Sequence, residues 1–156
     1  MSDQATMGGD TLREQWIRAQ RFLDAPPERV HRAWSDPEEL AAWLCRAVEG
    51  SLLVGARSTL VWSDRSLVID VLESDPPARF RFRWAAAPAH PASTIVTVTM
   101  DKFGYGSRIT LDDGPFDVTL PGIAQAFGEA AVDWGQALAN LRARVDFGVD
   151  LRRPVR

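Results

Sequence analysis

In the stretch 13–24, REQWIRAQRFLD, the residues Ile17, Ala19 and Leu23 alternate with Trp16, Arg18, Gln20 and Phe22. A period of two predicts a strand with one apolar face. Ala25, Pro26, Pro27 and Glu28 end it and open a helix, because a first turn has no use for the N–H that proline lacks. Val30, Ala33 and Trp34, three and four apart, carry that helix to about residue 34. Ser35 or Asp36 then caps a second short helix that has Pro37 at its start and Leu40, Trp43 and Leu44 on its apolar face. Two short helices after one strand leave no room for a crossover into a parallel sheet.

The middle of the chain is punctuated by turn chemistry at Gly50, Gly55, Ser63 with Asp64, Asp75 with Pro76 and Pro77, residues 88–91, and Gly104 with Gly106. Between these points, strands are predicted over 58–62, 67–73, 78–84, 94–100 and 107–111, joined by tight connections and therefore antiparallel. Residues 79–84, RFRFRW, alternate most cleanly: Phe80, Phe82 and Trp84 go to one face and Arg79, Arg81 and Arg83 to the other. Asp112 and Asp113 read as turn residues at a strand end.

From about residue 120 to 147, Ile123, Phe127, Ala131, Trp134, Leu138, Leu141 and Val145 recur at helical spacing. Glu129, Asp133, Gln136, Arg142 and Arg144 form the opposite face, Pro121 fits the first turn and Gly148 stops the helix. A stripe this long must lie on something, and the inner face of a curved sheet is the surface on offer. The expected fold is therefore α+β: a curved antiparallel sheet of about six or seven strands with one long terminal helix across its concave face. Residues 12–148 would form the domain, 1–11 a flexible polar leader and 149–156 a tail.

Composition narrows the function classes. A net charge of −3 lacks the basic excess of a nucleic-acid binder, so no nucleic-acid partner is expected. No long apolar run predicts a membrane helix or signal peptide, and the lone Cys45 cannot form an internal disulfide, so the cytoplasm is the expected compartment. His31 and His90 have no ligand-spaced companions, which excludes an ordinary zinc or iron site, and no cofactor is expected. His31 reads as partly exposed. The sequence contains no nucleophile elbow and no glycine-rich phosphate loop, and GYGS at 104–107 is a hairpin turn.

Three strings carry a family likeness. RFLDAPPERVHRAWSDPEELAAWL at 21–44, DPPARFRFRW at 75–84 and WGQALANLRARVDFGVDLR at 134–152 resemble the opening segment, central hairpin and closing helix of one bacterial group. That group is the homologues of the activator of the heat-shock protein 90 ATPase, within the SRPBCC or START-like helix-grip superfamily. The resemblance implies a helix-grip fold around a hydrophobic cavity. It brings three functions into view: binding of an apolar small molecule, cyclase or hydratase chemistry in the same cavity, and stimulation of a chaperone ATPase. The expected role is a domain that binds an apolar or aromatic small molecule or interacts with a protein, and the chaperone role is disfavoured for a free-standing domain. Trp43, Leu44 and Cys45, and the run Asp113, Gly114, Pro115 and Phe116, depart from the family's commoner residues at those places.

Six tryptophans and seven phenylalanines are mostly accounted for by core packing, each burying about 150–250 Å². A helix crossing a concave sheet also leaves a wedge that side chains fill poorly, and Trp62, Phe82, Trp84, Phe116, Phe127 and Trp134 are the candidate lining. Asp70, in LVIDVLE, points with Val68 and Leu72. On the inner face it would be a buried base or hydrogen-bond anchor, with Arg21 as another candidate anchor; on the outer face it would be a paired surface carboxylate. The arginine row and the tail pair Arg152 and Arg153 could meet an acidic partner, and exposed edge strands allow a homodimer.

Overall fold

The computed structural model describes residues 12–152, so the predicted leader and Arg153 lie outside the described residues. Strand β1 (Glu14–Leu23) is followed by helices α1 (Pro27–Ser35) and α2 (Pro37–Ala41). Six further strands come next: β2 (Ala47–Glu49), β3 (Arg57–Val61), β4 (Ser66–Asp75), β5 (Arg79–Ala85), β6 (Ser93–Phe103) and β7 (Gly106–Asp117). Helix α3 (Ile123–Phe147) closes the fold. All neighbouring strands are antiparallel in the order β1-β7-β6-β5-β4-β3-β2, a seven-stranded open sheet gripped by α3, as the helix-grip expectation requires.

The period-two signal decides which face each strand buries. Leu60, Ile69 and Val71, Phe80 and Phe82, Val96 and Val98, and Ile109 and Leu111 all point to the concave side and are almost fully buried. Asp36 caps α2 by accepting the N–H groups of Glu38 and Glu39, as predicted. At the far end of α3, Gly148 has φ 65° and the N–H of Val149 returns to the Ala143 carbonyl, a left-handed stop that suits glycine. Asp146, in the last turn, accepts the N–H groups of Asp24 and Ala25 and thereby fastens α3 to the end of β1.

Five tryptophans form a continuous chain through the core. Trp43, Trp34, Trp134, Trp84 and Trp62 follow one another with ring centroids 4.7, 6.0, 5.5 and 6.4 Å apart. Contacts of this kind contribute about 0.5–1.5 kcal/mol each beyond the area they bury. They join α1, the segment after α2, α3, β5 and the end of β3 into one body.

Several expectations need correction. The short edge strand β2 lacks a clear alternation, and no strand is predicted there. Helix α3 starts at Ile123 after a left-handed Gly122, so Pro121 precedes the helix instead of opening it. Ala131 is exposed, while Ala126 and Ala130 turn toward the sheet in its place. Arg144 is not on a solvated face: its guanidinium donates to Glu39, 3.3 Å away. His31 is buried, because its Nε2–H donates to the Arg79 carbonyl at 3.1 Å and Ser35 Oγ lies 3.2 Å from Nδ1. Burial lowers its pKa below the ordinary histidine value.

The face assignment of α3 is directly measurable. Leu138→Ala should cost about 2–5 kcal/mol of unfolding free energy, and Ala131→Ser should stay within about 0.5 kcal/mol of wild type. Equal effects of the two in urea unfolding would mean that the buried stripe is wrongly placed.

Candidate functional site

Helix α3 packs closely on β1 and β7 and diverges from β3 to β5, which leaves a wedge between them. The wedge is a half-open pocket of about 300 Å³. Its apolar wall comes from Leu44, Trp62, Leu67, Trp84 and Phe116, with Ala126, Ala130, Trp134 and Ala137 of α3 opposite. Three alanines on the helix, where larger side chains would fill the gap, are what keep the space open. At the rim, Arg65 on the β3–β4 turn lies 3.7 Å from Asp133 of α3, and its guanidinium carbon sits 5.0 Å from the centre of the Trp62 ring. The lower edge is formed by Arg152, which donates to the carbonyls of Cys45 and Ala41 and pairs with Asp150. Burial pushes the nearby Cys45 thiol up to about 11, so it is unreactive at neutral pH.

One buried charge-bearing group faces this space. Asp113 is 1% exposed, and its Oδ2 accepts the indole N–H of Trp134 at 2.9 Å. The Thr94 hydroxyl lies beside the carboxyl and eases its ionisation, but the contact is not a formed hydrogen bond: neither Thr94 Oγ1 nor Asp113 Oδ1 has a bonded partner among the described residues. Burial nevertheless dominates and raises the carboxyl above its ordinary value.

Asp113 and Phe116 share the concave face for a local reason. Gln15 pairs with Phe116 and Ile17 with Asp113, so the β1–β7 ladder carries an irregularity at Trp16 opposite Gly114 and Pro115. A bulge re-aims side chains, and here it turns Phe116 to the concave face that Asp113, three residues earlier, already shares by regular alternation with Ile109 and Leu111. Gly114 is required by the close approach: a Cβ there would lie 2.6 Å from the Trp16 ring.

Four of the predicted lining residues, Trp62, Trp84, Phe116 and Trp134, come together around the pocket. Phe82 stands behind the wall with its ring edge-on to Trp84 at 5.2 Å, and Phe127 backs Phe116 at 5.4 Å. Asp70 lies elsewhere. It shares the outer face of β4 with the exposed Val68, and Arg57 Nε donates to it at 2.8 Å. That hydrogen bond holds its carboxyl below the ordinary value, the opposite of a buried base. Arg21 is exposed, with its guanidinium on the Gln20 carbonyl, so it anchors nothing in the pocket. Asp113, read as a turn residue, is instead mid-strand. Continuing the alternation of Ile109 and Leu111 by one more step would have found it.

Among the described residues no helix is long and apolar enough to cross a membrane, and no group of three or more His, Cys, Asp or Glu could hold a metal ion.

The model of the family described as activator of Hsp90 ATPase homolog 1-like protein matches residues 24–146. No curated protein matches the chain. Among solved structures, the chain is similar to protein MLL2253 of Mesorhizobium loti, at 23% identity and a TM-score of 0.73, over 82% of this chain and 94% of that one. It is also similar to the Aha1 dimer of Colwellia psychrerythraea, at 14% identity and a TM-score of 0.75, over 86% and 98% of the two chains. DynU16, from the dynemicin biosynthetic locus, gives 22% identity and a TM-score of 0.73 over 86% of this chain, which spans about half (48%) of DynU16. These three likenesses carry the fold.

The raised Asp113 carboxyl sets a sign for stability against pH. The folded state holds this proton more tightly than the unfolded chain, so the contribution is full below about pH 3.9 and is lost as pH rises through the folded value. The unfolding free energy of wild type minus that of Asp113→Asn should therefore fall as pH is raised from about 4 toward 8. A difference that grows over this range in denaturant titrations would contradict the burial of the carboxyl.

Proposed function

We propose, for a chain that belongs to the family of activator of Hsp90 ATPase homolog 1-like proteins, that the pocket beneath α3 receives a small apolar or aromatic molecule. The observation that carries this reading is the space itself: about 300 Å³ walled by Trp62, Trp84, Phe116 and Trp134. An apolar cavity of about 150 Å³ accommodates one benzene, so this space suits about two such rings. It stands at the lower end of the roughly 300–1,000 Å³ usual for small-molecule sites. Apolar walls supply affinity through burial at about 25 cal/mol per Å², and the few polar groups fix orientation.

Binding is favoured over proton-transfer chemistry by the surroundings of Asp113. Its neighbours are an indole N–H and a threonine hydroxyl, and no second titratable group hydrogen-bonds to it among the described residues. A chaperone-docking role for the arginine row finds less support, since Arg79 already lies 3.7 Å from Glu73 and Arg83 adds to the field around Asp70.

A homodimer is supported by a separate feature. Edge strand β1 leaves Trp16 and Phe22 about half exposed on its outer face, and Phe22 stacks at 4.9 Å on the equally exposed Phe103. A second copy laid along β1 would cover this ridge, and the fold relative from Colwellia is itself a dimer.

Thermal shift with a panel of one- and two-ring aromatics and short lipids tests the binding reading. A ligand at about a hundred times its Kd adds about 2.7 kcal/mol, which should raise the Tm by about 5–10 °C in a chain of this size. Ala130→Phe, which fills the pocket from the helix side, should abolish the shift and keep the far-UV spectrum; shifts in neither protein would remove the reading. Sedimentation velocity checks the dimer, which is lost as an idea if wild type is monomeric or if Phe22→Ser leaves self-association unchanged.

A further inference from the structure

We infer that Asp113 is the polar anchor of the pocket and that its Oδ1 is placed to accept a hydrogen bond from the protonated nitrogen of an aromatic amine. The inference rests on the binding reading above and deepens it by naming the ligand class.

A buried carboxyl with one bonded oxygen is an expensive arrangement. Leaving a polar atom unsatisfied costs about 1–3 kcal/mol, and more when the group is charged. Asp113, a residue of the pocket lining, has the Trp134 N–H on Oδ2, whereas Oδ1 is buried without a bonded partner among the described residues. The Thr94 hydroxyl beside the carboxyl forms no hydrogen bond with it, and no cationic side chain among the described residues pairs with it. The guanidiniums that border the same space are engaged elsewhere, Arg65 with Asp133 and Arg152 with Asp150, Ala41 and Cys45. The buried carboxyl is therefore left without a cationic partner among the described residues, a place that a group from outside the chain can take.

The walls select the charge of that group. Trp62, Trp84 and Trp134 supply three indoles, and the faces of such rings carry negative electrostatic potential that attracts ammonium ions. Glu129 and Asp133 on α3 border the same space and so do Arg65 and Arg152, so the border is balanced in charge and the rings and Asp113 set the preference. The fixed Trp134 N–H on Oδ2 favours the anionic form of Asp113 that an ammonium needs as its partner, against the burial that raises the carboxyl and that an ammonium beside it would offset. A carboxylate ligand would set a second anion beside Asp113 inside an aromatic enclosure. The space for about two benzene-sized rings then specifies the rest of the molecule: a flat aromatic body with its amine on a short arm.

Isothermal titration with four naphthalene probes separates the alternatives: naphthylmethylamine, methylnaphthalene, naphthaldehyde and naphthoate. Wild type should bind the amine about tenfold to a hundredfold more tightly than methylnaphthalene, the ratio expected of a hydrogen bond to a charged group, and should bind naphthoate worst. In Asp113→Asn the amine should lose that advantage while methylnaphthalene binds as before. The anchor is overturned if methylnaphthalene matches the amine in wild type, or if naphthaldehyde is preferred, which would make Asp113 a donor to a carbonyl. It is equally overturned if Asp113→Asn keeps the preference for the amine. Where the variant does not fold, the ranking of the four probes on wild type decides alone. Binding of methylnaphthalene without discrimination sinks only the anchor, whereas binding of none of the probes sinks the pocket reading with it.

Discussion

The hydrogen bond from the Trp134 indole to Asp113 ties the long helix to the sheet, and the architecture around the pocket depends on it. Trp134 is 3% exposed, and its ring stands between Trp34 of α1 and Trp84 of β5 while its N–H reaches β7. A single side chain thus sets the distance of α3 from several elements at once. Because aromatic packing is nearly undirected and the N–H bond is directional, the first supplies most of the cohesion and the second fixes the orientation.

That arrangement needs the irregular pairing of β1 with β7. In an unbroken period-two strand Asp113 and Phe116 would face opposite sides, and the wall would lose either its aromatic or its carboxyl. Trp16 over Gly114 fills the outer side of the same irregularity, so its ring helps to support the inner site without entering it. The pocket is accordingly a product of backbone geometry at residues 113–116 as much as of the side chains that line it.

Much of this fold can be read from residue spacing, since alternation in β1 and β3 to β7 and the three-four spacing of α3 are strong, local signals. Trp62, Trp84 and Trp134 were recognisable for the same reason, since each sits on the apolar side of a periodic element, whereas Phe116 lies beyond the predicted strand 107–111 and stood out by its aromatic character alone. What escaped depended on contacts far along the chain. The run DDGP carries the chemistry of a turn, and only its partner strand β1, nearly a hundred residues earlier, converts it into a bulged strand. Asp70 was ambiguous because LVIDVLE is apolar on both sides, so parity alone could not say which face is inner until Phe82 paired with Val71. His31 is buried by the Arg79 carbonyl, 48 positions away, which no helical pattern encodes. Ala131 was misplaced because a 25-residue helix drifts relative to any fixed repeat, and Ala126 and Ala130 took up the difference.

The pairing of β1 with β7 has a consequence for biosynthesis. Arg18 and its partner Asp112 are 94 residues apart, so β1 leaves the ribosome long before the strand that completes it exists. At about 5–20 residues per second the interval is roughly 5–20 s. Throughout it, Ile17 and Leu23 have no sheet to bury them against β7 and α3, and Trp16 and Phe22 add apolar surface on the other side. The nascent N-terminal strand is a natural client for whatever factors shield greasy segments during translation, and the order of the elements commits the chain to that wait.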